Sequence, residues 1–162
     1  MEKLLDLCVQ TKSEVLSVHV KNRSSHQLNL WSRLCSWGWE TVSFEVAKSE
    51  QQHVWHNLTV MSVRWTANYP EIVKLPPNGQ ITFDFSADRS VWNELEQFKN
   101  WQDQSIHLRA KLRIEESIES KEYSVLTGEV QSPFCLLEPP HKWLFNTAEN
   151  KDESNAVGTS DK

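Results

Sequence analysis

Four groups of residues have the types and spacing to do chemistry: the pair His53-Val54-Trp55-His56, the thiol of Cys35, two sets of carboxylates, and the basic run His107, Arg109, Lys111 and Arg113. Zinc on the histidine pair would need one or two further ligands, such as His107, His141 or a cysteine. Positions three apart on a strand point to opposite faces, so the two imidazoles converge only if the chain turns there, and surface histidines near a strand entry are the better reading. Nucleophilic catalysis needs an activated Ser or Cys; no G-x-S-x-G elbow exists among only four glycines. Cys35 adjoins Trp37-Gly38-Trp39 but has no Lys or His neighbour to lower its pKa, and Arg33 is two positions off, so it reads as a buried structural thiol.

Asp84 with Asp88, and Glu115, Glu116, Glu119 and Glu122, are the carboxylates a glycosidase would need. A general acid also requires an apolar cleft to raise one of the pair, and the glutamates read instead as a solvated hairpin tip. No glycine-rich phosphate cradle is present. The basic run fits an acidic partner, but it is also what a solvated sheet face carries to discourage edge-to-edge association. An enzyme using Asp84, Asp88 or Cys35 is therefore the weakest of the functional readings.

Eight tryptophans in 162 residues must serve either a core or a ligand. Trp92 and Trp101 flank a predicted helix and read as its anchors, while Trp55 and Trp65 share a strand parity and read as cover for one sheet face. Trp31 points away from the face of Leu30 in a regular strand. Trp37 and Trp39 bracket Gly38 in a predicted turn, which leaves two readings: a turn packed on its own domain, or a loop-borne pair that stacks on a sugar, a partner loop or a proline-rich peptide. Trp143 and Phe145 follow Pro139-Pro140, which keeps the approach extended so that both rings reach one surface; packing on the domain is favoured over an exposed docking motif.

The elements that must position these groups are mostly strands. From Ser105 to Ile114, Ile106, Leu108, Ala110, Leu112 and Ile114 alternate with His107, Arg109, Lys111 and Arg113, the pattern of a half-buried antiparallel strand. The same period picks out Leu16, Val18 and Val20; Leu28 and Leu30, with Leu34 as a candidate third member; Val42, Phe44 and Val46; and Ile81, Phe83 and Phe85. Val54 to Trp65 carries large apolar groups on both parities, so its inward face stays undecided. Tyr123 to Val130 and Pro133 to Leu137 predict two later strands, with Ser132-Pro133 between them. Turn signals lie at Asn22-Arg-Ser-Ser, Ser36-Trp-Gly38, Asn68-Tyr-Pro70, Pro76 to Gly79 and Glu115 to Lys121. Val91, Leu95 and Phe98 fall at i, i+4 and i+7, predicting one short connecting helix over 88–101 with Asp88 or Ser90 as N-cap.

Seven to nine short strands and one helix describe an all-β, antiparallel two-sheet β-sandwich similar in architecture to immunoglobulin-like and fibronectin-like domains, spanning 1–145. Cys8, Cys35 and Cys135 lack the positions of the immunoglobulin cysteine pair and read as small buried or half-buried apolar groups, so the similarity extends to architecture and not to site residues. Residues 146–162 are polar and predict a disordered tail. A net charge of −5 argues against nucleic acid or anionic membrane as the partner. Acidic Glu2 and Asp6 do not suit a secretory leader, no apolar stretch approaches a membrane span, and Asn22-Arg-Ser and Asn57-Leu-Thr read as chance sequons, which together point to a cytoplasmic setting.

The sequence thus predicts a non-catalytic binding module without cofactor or metal. Its partner would be a protein, held by Trp37, Trp39, Trp143 and Phe145 as apolar anchors with Arg109, Lys111 and Arg113 as rim charges. The alternative is a carbohydrate or small-ligand binder that stacks its ligand on tryptophan. Association between copies through sheet edges remains open.

Overall fold

A computed structural model describes residues 1, 4–12, 15–48, 54–86, 92–93, 95–101, 103–139 and 141. Along the chain these form β1 (Leu5–Lys12), β2 (Val15–Asn22), β3 (Leu28–Trp31), the one-turn helix α1 (Ser36–Trp39), β4 (Val42–Lys48), β5 (His56–Thr59), β6 (Ile72–Leu75) and β7 (Gln80–Ser86). A 3-10 helix (Leu95–Trp101), β8 (Ile106–Ile114), the short helix α2 (Ile118–Glu122), β9 (Gly128–Gln131) and β10 (Cys135–Leu137) follow. Among the described residues the fold is mainly β, with antiparallel sheets and no closed barrel. One sheet has the order β1-β2-β7, a second runs β10-β8-β4-β5 with β9 also on β8, and β3 pairs with β6.

Alternation decides which side of each strand is buried. All five apolar positions of β8 are buried, as are Val42, Phe44 and Val46 of β4 and Leu16, Val18 and Val20 of β2. The two larger sheets meet through these faces: Phe44 of β4 lies edge-on to Phe85 of β7 with centroids 5.2 Å apart, and Trp92 touches both rings at 5.6 Å. Such edge-to-face contacts contribute about 0.5–1.5 kcal/mol beyond area burial. Phe98 and Trp101 form a second edge-on pair at 4.9 Å, so Trp92 and Trp101 are structural, as their placement beside the predicted helix suggested.

Two backbone devices shape the strand ends. At Pro76 to Gly79 the Gly79 N–H donates to the Pro76 carbonyl at 2.8 Å and Asn78 takes φ 60°, which makes a type II turn into β7. Asn22, fully buried, locks that turn: its carboxamide donates to the carbonyls of His26, Leu75 and Pro76. That side chain is unavailable for glycosylation. Between β9 and β10, Pro133 has no N–H for the ladder; the Ser132 hydroxyl instead accepts the Ala110 N–H at 2.9 Å, while the Ser132 N–H donates to the Ala110 carbonyl.

Several expectations change. The N-terminal strand β1, with Leu5, Leu7 and Val9 buried, and the four-residue β6 had no counterpart in the sequence reading. Glu115 to Lys121 is not wholly loop, because Ser117 and Ser120 close a reciprocal capping box that starts α2. Strand β5 stops at Thr59, and over the run from Val54 to Trp65 Leu58 and Val60 are buried while Met61 and Val63 are exposed. Leu34 is 76% exposed and outside β3, and Cys8 is exposed. The predicted helix over 88–101 is a 3-10 helix from Leu95; Asp88, Ser90, Val91 and the Leu95 side chain lie outside what is described, as do Trp143, Phe145 and the tail 146–162. No helix among the described residues is long and apolar enough to cross a membrane.

Candidate binding face on the five-stranded sheet

Burying Phe44 and Val46 of β4, Leu58 of β5 and the apolar side of β8 turns the intervening residues outward. Register then sets them in rows: Thr59, Ser43 and Lys111 across β5, β4 and β8; Asn57, Glu45 and Arg109 in the next row; Ala47 and His107 in the one beyond. Glu45 sits directly opposite Arg109 and bonds both to it and to Lys111 (2.9 Å), with Glu129 of β9 a further 3.8 Å partner for Lys111. Burial pushes the Glu45 carboxyl up, but the hydrogen bonds and charges of Lys111 and Arg109 outweigh it and leave the group below its ordinary value. Arg109 and Lys111 are therefore half-buried and paired with Glu45, whereas Arg113 is exposed and pairs with Glu115 at 2.9 Å.

At the Arg113 end the face sinks into an open concavity of about 550 Å³. Its wall includes Trp37, its floor Ser43, Asn57, Thr59 and Lys111, and its rim Glu40, Arg113 and Glu115. Trp37 comes from α1, a single turn and not the open glycine turn expected. That turn exists because Gly38 presses on the chain beneath it: a Cβ there would lie 2.0 Å from the Ser32 carbonyl oxygen and 3.1 Å from Trp31 Cβ. Trp37 packs on the buried Trp31 at 5.9 Å, which in turn packs on Tyr123 at 5.9 Å. Donors beside the Glu119 carboxyl, first its own backbone N–H and then the Ser117 hydroxyl, hold it below the usual carboxylate value, with a smaller contribution from the Trp37 indole.

At the other end the same face rises. Trp55, just before β5, stacks on Phe134, just before β10, with centroids 4.8 Å apart and planes at 14°. The Arg109 guanidinium lies 5.3 Å from the Trp55 ring and 4.9 Å from that of Phe134, and His107 is stacked 6.5 Å from Phe134. Two strands separate β5 from β10, so the pair spans the sheet across Ala47, whose small side chain is completely covered. Phe134 is 52% exposed and Leu136, opposite His107, is 51% exposed.

Of the residues nominated from sequence, the fold brings Trp37, Lys111 and Arg113 to one concavity. Arg109 belongs to the aromatic end. Trp39 lies elsewhere: its indole donates to the Met61 carbonyl at 2.7 Å, its ring meets Trp65 edge-on at 6.3 Å, and Arg33 sits 5.0 Å above it. Trp55 and Trp65, expected on one face, are thus in different clusters. Sequence reading missed Phe134, Leu136, Ser43, Asn57 and Thr59; the alternation of Phe44 and Val46 with Ser43, Glu45 and Ala47 held the signal for the β4 members. Cys35 is buried and its thiol points to the Ser32 carbonyl at 3.1 Å. Asp84 accepts from Ser17 at 2.6 Å. His56 lies against Phe98 and Trp101, His53 is outside the described residues, and no group of three metal-ligating side chains comes together among those described.

No family model matches the chain. No curated protein matches it either. Among solved structures, Bacteroides uniformis beta-glucuronidase 2, covalently bound to cyclophellitol-6-carboxylate aziridine, aligns at 13% identity over 86% of this chain with a TM-score of 0.28. This chain spans 15% of that protein, and the likeness carries no argument about fold or activity.

Proposed function

We propose that the protein is a non-catalytic binding module that engages a protein partner through the outer face of its five-stranded sheet. In this reading the two larger sheets are the layers of an immunoglobulin- or fibronectin-like sandwich over 1–145, followed by a polar tail, in a reducing cytoplasmic setting. The observation that carries it is the half-exposed pair Phe134 and Leu136 on the same sheet face, with Phe134 stacked on Trp55 and beneath the Arg109 guanidinium. Aromatic residues and arginine are the types that anchor interfaces, and contiguous apolar groups on a face mark contact sites. The outer face of the smaller sheet differs: Ser17 bonds to Asp84 and His19 to Thr82 and Gln10, so its polar groups satisfy one another.

Photo-crosslinking tests the assignment. A crosslinker placed at 134 or 136 should yield a discrete adduct that an equivalent probe at Thr82 does not, and Arg109→Ala should reduce its yield. A second copy of the chain would appear as an adduct of twice the mass. Equal labelling from both faces, or none from 134 and 136, would remove this face as the interface.

A further inference from the structure

We propose that the concavity beside Trp37 is a separate binding site for a short neutral oligosaccharide. The inference stands on different residues from the aromatic end and does not depend on the protein-partner reading. A volume of about 550 Å³ lies within the ~300–1,000 Å³ span of small-ligand sites. Its chemistry is not that of an anion site: the lining holds two cations, Lys111 and Arg113, and two carboxylates, Glu40 and Glu115. Each cation already has an acidic neighbour, Glu45 for Lys111 and Glu115 for Arg113. Nor is it an apolar groove.

A pyranose ring presents an apolar C–H face and an edge of hydroxyls that both donate and accept. The half-buried Trp37 ring, backed by the buried Trp31, supplies an aromatic surface at the wall. Rigid aromatic platforms contribute contact area at little entropic cost. Across the floor, the Ser43 hydroxyl and Asn57 carboxamide make no side-chain hydrogen bond to described residues, so their bonding capacity is open to a ligand. Thr59 accepts from Asn93 at 3.2 Å and keeps its own hydroxyl hydrogen. Donors, acceptors and carboxylates around one ring face suit a ligand made of hydroxyls better than one carrying net charge.

The test is titration of the full chain, followed by its tryptophan indole NMR signals, with cellotriose, maltotriose, laminaritriose and chitotriose, each also compared with a sulfated oligosaccharide. At least one neutral sugar should shift the Trp37 signal saturably. Trp37→Ala should weaken that binding tenfold or more. Asn57→Leu and Thr59→Val, both on the sheet surface, should weaken it roughly two- to tenfold, the range of a single lost hydrogen bond. Phe134→Ser should leave it within twofold, which separates this site from the protein-partner surface. The proposal is overturned if no neutral sugar saturates the Trp37 signal by about 10 mM, if Asn57→Leu and Thr59→Val bind as the parent does, or if the sulfated sugar binds more tightly than every neutral one.

Discussion

The two ends of one sheet face are built by opposite means. At one end a helical turn lays Trp37 on Trp31 and leaves a hollow floored by short polar side chains; at the other Trp55 and Phe134 close over Ala47 and raise a ridge. The register is continuous beneath both, so the strands alone do not create the difference. It comes from what flanks them: α1 sits at the edge of the face and projects a ring beside it, whereas the residues before β5 and β10 fold rings across it. Between the two ends lies Glu45, bonded to Arg109 toward the ridge and Lys111 toward the hollow. A uniform-looking stripe of basic residues is thereby divided between two environments.

Gly38→Ala should break this contrast most strongly. The added Cβ meets backbone at 2.0 Å, and overpacking typically costs about 1–3 kcal/mol, with backbone contact placing this case at or above the upper end. Urea denaturation should show the loss, and indole NMR signals of Trp31 and Trp37 should move while that of Trp55 does not. Phe134→Ser is the converse: loss of the stacked pair should cost about 0.5–1.5 kcal/mol, shifting Trp55 and leaving Trp37 in place. If either substitution perturbs both ends equally, they are one site and not two.

Glu45→Gln should have a smaller effect, about 0.2–1 kcal/mol, but should reach both ends because both cations lose their shared carboxylate. The pH dependence sharpens this further. The folded value of Glu45 is depressed, so its contribution is complete above the unfolded carboxyl value of ~4.3 and is lost as pH falls through the folded value. Stability curves of the parent and Glu45→Gln should therefore converge on acidification; curves that stay parallel below that pH would show that the ion pairs contribute nothing.

Much of the scaffold was legible because alternation reports directly on which side of a strand meets a core. β8 is the clearest case, with all five apolar positions buried as read. Where both parities are apolar, as from Val54 to Trp65, the period carries no decision, and neighbours selected Leu58 and Val60. Short elements escaped for another reason. α1 and α2 are single turns, too short to show a helical period, and exist through a close backbone approach at Gly38 and a serine capping box. The candidate sites were only half legible: Trp37, Lys111 and Arg113 stood out by type, while Ser43, Asn57 and Thr59 are unremarkable until cross-strand register sets them in one floor.

By itself, then, the sequence determined a mainly β chain, the faces of its strongly alternating strands and the residue types available for binding, because burial period and side-chain chemistry are local properties. Tertiary structure alone decided that Trp37 and Trp39 part company, that Arg109 belongs to an aromatic ridge and Lys111 to a polar hollow, and that Trp55 finds Phe134. Those outcomes depend on strand order and register, which bring together residues as far apart in the chain as 55 and 134. No period in a single segment records them.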